Sequence, residues 1–380
     1  MYITVLFLCL LVTPRIVQGI SPSCLMNYLA PGCPLPLGWD EDWSLFNSTI
    51  AMPSQPDNSS LPNFTPAPGH HWGLVSLDWT VGQGTWLNTT DLNASFCEAA
   101  SAANCKALKA SGAVKRCGIY HNIELALQWI ESARAVMYDA SKADWFLQFT
   151  DGMGHKNGTI FNDHRSQGDQ FFIDWRNADA AAYFVTAIVN RTVELDVDLT
   201  FTDDRDGCCV EHDNVPALLK LMPSEVAALQ FATQAGGQWL ATSLAAVGKS
   251  CWDCLGGYNL GVRPMPGPTC APTMRALCAP STQGSSMLMG FSGNGDSSSY
   301  LNQTLAAFLV TRPPVAFVGS RWQDDKWSPL FNLDVGEPLG LCNESSPGVF
   351  QRSWTRGVAS LDCNSWTADL PFPFLPGLNY

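Results

Sequence analysis

From residue 72 to about 320 the chain alternates short apolar runs with longer segments of helical spacing. Runs at 72–79, 114–122, 143–149, 171–177 and 197–204 read as strands, and runs at 249–257, 285–293 and 313–319 read as three more. Most are nearly continuous in apolar residues, as expected of strands covered on both faces. Helical spacing marks 94–111, 123–140, 178–193, 223–248 and 300–310, with Ser224 as a plausible cap of the fourth. Eight short strands mostly alternating with helices over about 250 residues predict an α/β protein of the (β/α)8 TIM-barrel type. The rival, an open doubly wound sheet, usually carries a Gly-rich phosphate loop. Gly82-Gln-Gly84 is too short for that fingerprint, and no Walker loop is present.

The flanks differ from this rhythm. Residues 1–19 contain an apolar run from Ile3 to Val12 and small residues near Gly19, the pattern of a secretory signal. That run is shorter than the ~20 residues a membrane span needs, and no later stretch is long and apolar enough. Residues 20–69 are rich in Pro, Ser and Asn and predict an extended arm. The barrel is expected over 70–320. Residues 321–380 predict a C-terminal extension of loop and β-ribbon that packs on it, with ribbon at 349–362.

Composition narrows the function. The 380 residues include 21 basic and 34 acidic side chains, a net charge of −13, which excludes a general nucleic-acid binder and adsorption to acidic membranes. Only 14% of residues are charged, against a usual ~25%. Fourteen cysteines, thirteen without Cys9, include close pairs at Cys24/Cys33, Cys97/Cys105, Cys208/Cys209, Cys251/Cys254 and Cys270/Cys278. In an oxidising compartment these read as disulfide partners with one thiol left over, although sequence does not fix the connectivity. Nine N-x-S/T sequons, at Asn47, Asn58, Asn63, Asn88, Asn93, Asn157, Asn190, Asn302 and Asn343, predict N-linked glycans on an exported eukaryotic protein.

In a barrel the chemistry gathers at the C-terminal ends of the strands. Asp78 and Trp79 end the first, Tyr120, His121 and Asn122 the second, and Gln148 and Asp151 flank the third. Asp174, Trp175, Arg176 and Asn177 end the fourth, and Asp203 and Asp204 the fifth. Several carboxylates at one rim suit glycoside hydrolysis, in which one protonates the leaving oxygen and the other attacks or activates water. A close pair also separates its two pKa values. Asp203 and Asp174 carry the expectation best, because each ends an otherwise apolar run where a carboxylate is costly without a job. Asp78, His121 and Asn122 would orient sugar hydroxyls, with Trp79, Trp175, Arg176, Asn177 and Asp204 lining the site. Trp79, Trp86, Trp145, Trp175, Trp239, Trp252, Trp322 and Trp327 fall mostly at or beyond strand ends, where rings could stack on sugars.

Other chemistries fit less well. Asp203, Asp204, Asp206, Glu211, His212 and Asp213, with Asp163 and His164, offer metal-ligand types, but their spacing matches neither an EF-hand loop nor HExxH. No cofactor is expected. Gly-x-Ser-x-Gly is absent, so Ser-His-Asp catalysis has no support.

Residues 172–177, Phe-Ile-Asp-Trp-Arg-Asn, followed by an Ala-rich helix with Tyr183, Phe184 and Val185, resemble strand four of a group of TIM-barrel glycoside hydrolases that includes the endo-galactosaminidase-like barrels. Residues 197–204 resemble their strand five, with Leu199 where a Gly is usual. Gly336-Glu337-Pro338 and the segment from Arg352 to Val358 are similar to the ending of such barrels. The resemblance covers about 70 to 365. It implies a carbohydrate substrate, with Asp174 and Asp203 as the catalytic pair. The run at 287–292 lacks the acid such barrels often show there, which leaves open a catalytically inactive barrel that binds glycans or cell-surface partners.

Overall fold

The computed structural model describes residues 39, 41–53, 69–86, 95–150, 156–204, 215–252, 266–279, 288–291, 300–319 and 327–377. The signal, most of the arm, Asp151, the 205–214 segment with four of the metal-ligand candidates, Trp322, the cysteines at 24, 33, 208, 209 and 254, and the sequons at Asn58, Asn63, Asn88 and Asn93 lie outside them.

The strands in chain order are β1 (Ile50–Ala51), β2 (Trp72–Leu77), β3 (Val114–Asn122), β4 (Leu125–Leu127), β5 (Gln170–Phe172), β6 (Leu199–Asp203), β7 (Ser250–Trp252), β8 (Leu288–Phe291), β9 (Ala316–Gly319), β10 (Asn343–Ser346), β11 (Val349–Trp354), β12 (Gly357–Asp362) and β13 (Thr367–Asp369). The helices are α1 (Gln83–Trp86), α2 (Ser95–Ala110), α3 (Glu131–Met137), α4 (Ala178–Glu194), α5 (Val215–Leu218), α6 (Pro223–Ala246), α7 (Cys270–Leu277) and α8 (Leu301–Thr311).

The protein is mixed α/β around a parallel sheet in the order β1-β2-β3-β6-β7. A second parallel pair, β8-β9, meets the β1 edge through a bridge between Thr49 and Val318. β2 is buried at all six positions. Strand alternation sends Val75, Leu77, Cys117 and Ile119 into an outer cluster with Leu108 of α2 and Leu305 and Phe308 of α8. It sends Leu74, Tyr120, Leu199 and Phe201 into an inner cluster that also holds Ile50 and Phe317. Gly118 belongs to this inner face, where any Cβ would strike the Leu199 side chain.

Two of the expected barrel strands lie elsewhere. Residues 143–149 contain the end of a 3-10 helix and isolated bridges but no strand. The run at 171–177 contributes β5, which pairs antiparallel with β4 while β3 pairs directly with β6. Apolar content told that these runs were buried, not against what. The helix expected at 123–140 is shortened for the same reason, since 125–127 are taken by β4. Ser224 lies inside α6, whose cap is Met222: its N–H reaches Glu225 Oε2 at 2.8 Å, with Pro223 at the first helical position. Residues 50–51, within the stretch read as an arm, form a strand of the sheet.

β10 to β13 form a four-stranded antiparallel sheet, with 349–362 a hairpin as its spacing predicted. Its Phe350, Trp354, Ala359 and Leu361 join the outer cluster. Disulfides Cys270–Cys363 and Cys278–Cys342 tie α7 to this region, and Cys105–Cys117 ties α2 to β3. The short-range pairings Cys97/Cys105 and Cys270/Cys278 do not form. Eight residues along a helix are ~12 Å apart, beyond the ~7 Å Cα separation a disulfide spans. Cys97 is a buried free thiol. Among the described residues no helix is long and apolar enough to cross a membrane.

Candidate functional site

Parallel strands deliver their last residues to one edge. In β3 and β6, Tyr120 lies opposite Phe201 and Asn122 opposite Asp203, so all four share the inner face. Ser76 lies opposite Gly118, which places Asp78, two residues on, along the same inner row. Asp78 and Asp203 therefore end the strands on either side of β3.

Asp203 is held from two sides. The Tyr120 hydroxyl donates to Oδ2 at 3.0 Å, and the Asp204 N–H donates to Oδ1 at 3.1 Å. Asp204 adopts a left-handed backbone (φ 58°), which Asp tolerates better than most residues, and this bend brings its amide back onto its neighbour. Asn122 Nδ2 donates to the Tyr120 oxygen at 3.0 Å and to Asp204 Oδ2 at 2.6 Å. Its Oδ1 accepts the N–H groups of Glu124 and Leu125 at 2.8 and 2.6 Å. The Asn122 amide is thus fully used within the protein and serves as a bracket for the two carboxylates.

Burial, reinforced by the charge of Asp204, pushes Asp203 up to about 7 against the hydrogen bonds from Tyr120 and the Asp204 N–H; the Asp78 charge adds to the rise. Burial likewise pushes Asp78 up to about 6, opposed by the Trp79 N–H at 2.7 Å and the Thr80 hydroxyl. Burial, followed by the charges of Asp203 and Asp204, raises the Tyr120 phenol well above its ordinary value, so it stays a neutral donor.

His121 faces the other way. Its Nδ1 meets Thr200 Oγ1 at 2.6 Å and its Nε2 meets Glu98 Oε1 of α2 at 3.1 Å, both fully buried. Glu98 Oε2 accepts the Glu131 N–H that opens α3, and Arg191 of α4 lies 3.6 Å from Oε1. Burial alone would raise Glu98, but the hydrogen bond and charge of His121, with Arg191 and the Glu131 amide, outweigh it and hold the carboxyl low. This junction joins the sheet to three helices behind the carboxylate edge. Strand alternation already forbids Tyr120, His121 and Asn122 from sharing a face. Glu98 was visible as a lone acid in an Ala-rich helix, on the buried side with Ser101 and Cys105.

Asp174 and Arg176 form a two-pronged ion pair, Nε to Oδ1 at 2.8 Å and a terminal nitrogen to Oδ2 at 2.7 Å. No hydrogen bond or ion pair among the described residues joins Asp174 to Asp203. Asn177 caps α4, accepting from Asp179 and Ala180 N–H. Trp175 is buried, donates to the Ile123 carbonyl and lies flat against Gly236, where a Cβ would overlap its ring.

The other tryptophans divide. Trp79 sits half-buried beside Asp78, 5.4 Å from Trp129, which stacks on Trp86 at 5.1 Å. Trp145 packs on Tyr183 under the cation of Lys142. Trp327 clusters with Phe46, His70 and Trp72 at the start of β2, the opposite end from Asp78. Trp239 lies on α6. Among the described residues no group of three or more His, Cys, Asp or Glu side chains is placed to hold a metal ion.

No family model matches the chain, and no curated protein matches it. Solved structures similar to it include a GH31 family sulfoquinovosidase from E. rectale, 12% identical, covering 80% of this chain and 47% of that one, with a TM-score of 0.45. An α-galactosidase from Thermus thermophilus is 14% identical over 88% of this chain and 69% of that one, TM-score 0.45. The glycoside hydrolase domain of PelA from Pseudomonas aeruginosa is 12% identical over 72% and 94%, TM-score 0.37. The chain spans about half the length of the first. None is alike enough to transfer a residue or a role.

Proposed function

We propose that the protein is a secreted glycoside hydrolase that cleaves a poly- or oligosaccharide with two carboxyl groups at the edge formed by β2, β3 and β6. The reading is carried by one observation: Asp78, just past β2, and Asp203, last in β6, flank the end of β3 on one face, Asp78 buried and Asp203 half-buried, and both are raised toward neutrality by different amounts. Carboxyls whose environments push their pKa values apart divide into acid and base. Between pH 6 and 7 Asp203 holds its proton and donates it to the leaving oxygen, while Asp78 is ionised and serves as nucleophile or base. Asp78 takes the second role here because both oxygens of Asp174 are occupied by Arg176. Trp79 and Asp204 line the site; Tyr120 holds Asp203, and Asn122 holds the Tyr120 hydroxyl and Asp204.

A closed barrel suits this reading. Seven parallel strands follow the order β8-β9-β1-β2-β3-β6-β7, in which the last of these parallel strands along the chain, β9, lies beside the first, β1. Pairing of β7 with β8 would complete the ring. Export is supported by the disulfides among the described residues and by the exposed sequon asparagines Asn157, Asn190, Asn302 and Asn343.

The test is a polysaccharide hydrolysis screen of wild type beside Asp203→Asn and Asp78→Asn. Each variant should keep its fold and lose at least ~100-fold in kcat. Wild-type activity should follow a narrow bell in pH with limbs near 6 and 7. Undiminished turnover in Asp203→Asn removes the mechanism.

A further inference from the structure

Helix α6 carries one charged residue, Glu225, in 24. A solvent-facing helix normally covers its outer side with charge. Here Ala227, Phe231, Ala235 and Trp239 recur every four residues as one exposed stripe, with Phe231 74% and Trp239 36% exposed. Gln230, Gln234 and Gln238 run beside it at the same spacing, Gln234 exposed and the other two half-buried. The opposite side is fixed: Leu229, Thr233, Gly236, Leu240 and Leu244 are buried, with Gly236 against Trp175. The stripe therefore cannot rotate inward.

We infer that this face of α6 is a second binding surface, for a single chain of neutral polysaccharide. Three observations select that occupant. Phe231 and Trp239 stand eight residues apart, ~12 Å along the axis, so two exposed aromatic side chains are spaced for successive parts of an extended chain. Between them the exposed polar side chain is the Gln234 amide, a donor and acceptor suited to hydroxyls, with no charge to attract an ionic polymer. Finally, fully exposed aromatic side chains present ~150–250 Å² each, so at their exposures the two rings offer on the order of 240 Å². Neighbouring Met222 adds less than another such ring. The total is well below the ~800 Å² per partner of a stable protein interface but ample for a ligand one chain wide.

The position is also suited to a polymer. β6 ends at the carboxylate edge and β7 starts at the other end, so α6 must run from the edge down the flank. Its first turn lies close enough to Arg176 for the Glu225 charge to act on it. A chain lying on the stripe would lead away from that edge. The surface stands whether or not the carboxylates are catalytic.

The experiment is native affinity electrophoresis through gels containing a soluble galactomannan, a mixed-linkage β-glucan, a soluble α-glucan, alginate or chitosan. Wild type and Phe231→Ala/Trp239→Ala are run on an Asp203→Asn background, which removes turnover. Both substituted positions are exposed and Ala favours helix, so the fold should persist, checked by circular dichroism. At least one neutral polymer should retard the parent, with the apparent Kd rising tenfold or more in the double variant, while alginate and chitosan do not discriminate between the two. The inference is overturned if no neutral polymer retards the parent or if the double variant is retarded equally. It is also overturned if light scattering shows a dimer that the double variant abolishes, since the occupant is then a second copy.

Discussion

Replacing Asp203 by Asn should make the protein more stable at alkaline pH while removing its proposed activity. A carboxyl raised from 3.8 to about 7 binds its proton more tightly in the folded chain than in the unfolded one. Stability is therefore lost as pH rises, starting near the unfolded value and continuing until pH passes the folded one. At ~1.4 kcal/mol per unit, the raised Asp203 carboxyl costs about 4 kcal/mol at pH 8 and only about 2 kcal/mol at pH 5. Asparagine does not titrate. It keeps the acceptor for the Asp204 N–H and turns an NH2 group toward Tyr120, a change worth about 1 kcal/mol that is the same at both pH values. Comparing the two proteins by urea unfolding at pH 5 and pH 8, disulfides intact, cancels the titrating groups that do not interact with Asp203. The variant should gain about 2 to 3 kcal/mol on wild type between those pH values. A difference that does not change with pH, or that changes the other way, refutes the assignment of a strained carboxylate at this strand end.

Tyr120→Phe removes the donor that favours ionised Asp203, so the upper limb of the pH–rate profile should move above 7; an unmoved limb would show that the hydroxyl does not act on this carboxyl. Breaking Cys270–Cys363, which links residues 93 apart, by Cys270→Ser/Cys363→Ser should lower stability by about 4 kcal/mol in urea melts, and a loss under 1 kcal/mol would contradict a chain-restricting role.

The strand ends that matter were legible because three buried strands advertised themselves. The runs at 72–79, 114–122 and 197–204 carry recurring apolar residues and an acid or amide at or next to their ends, although Lys115, Arg116 and Asp198 interrupt two of them, and all three became neighbours in one sheet. The run at 171–177 looked the same and went elsewhere, because an apolar stretch records burial and not its partner. β5 finds β4 across a short antiparallel pairing, which leaves Asp174 beside Arg176. β1 escaped notice because two residues have no periodicity. Asp203 was legible from the cost of burying a carboxylate; Tyr120, which controls it, looked like one more aromatic until its hydroxyl had a partner.

The bridge between Thr49 and Val318 spans about 270 residues of chain. Arg312 strengthens the same seam, donating to the Asp42 and Trp43 carbonyls and to Ser48 Oγ. On a ribosome, β1 can find β2 early, but its other edge has nothing to pair with until nearly the whole chain has emerged. The sheet is thus assembled with its first strand waiting for its last, a connection of high sequence separation that slows folding and leaves an open strand edge exposed meanwhile.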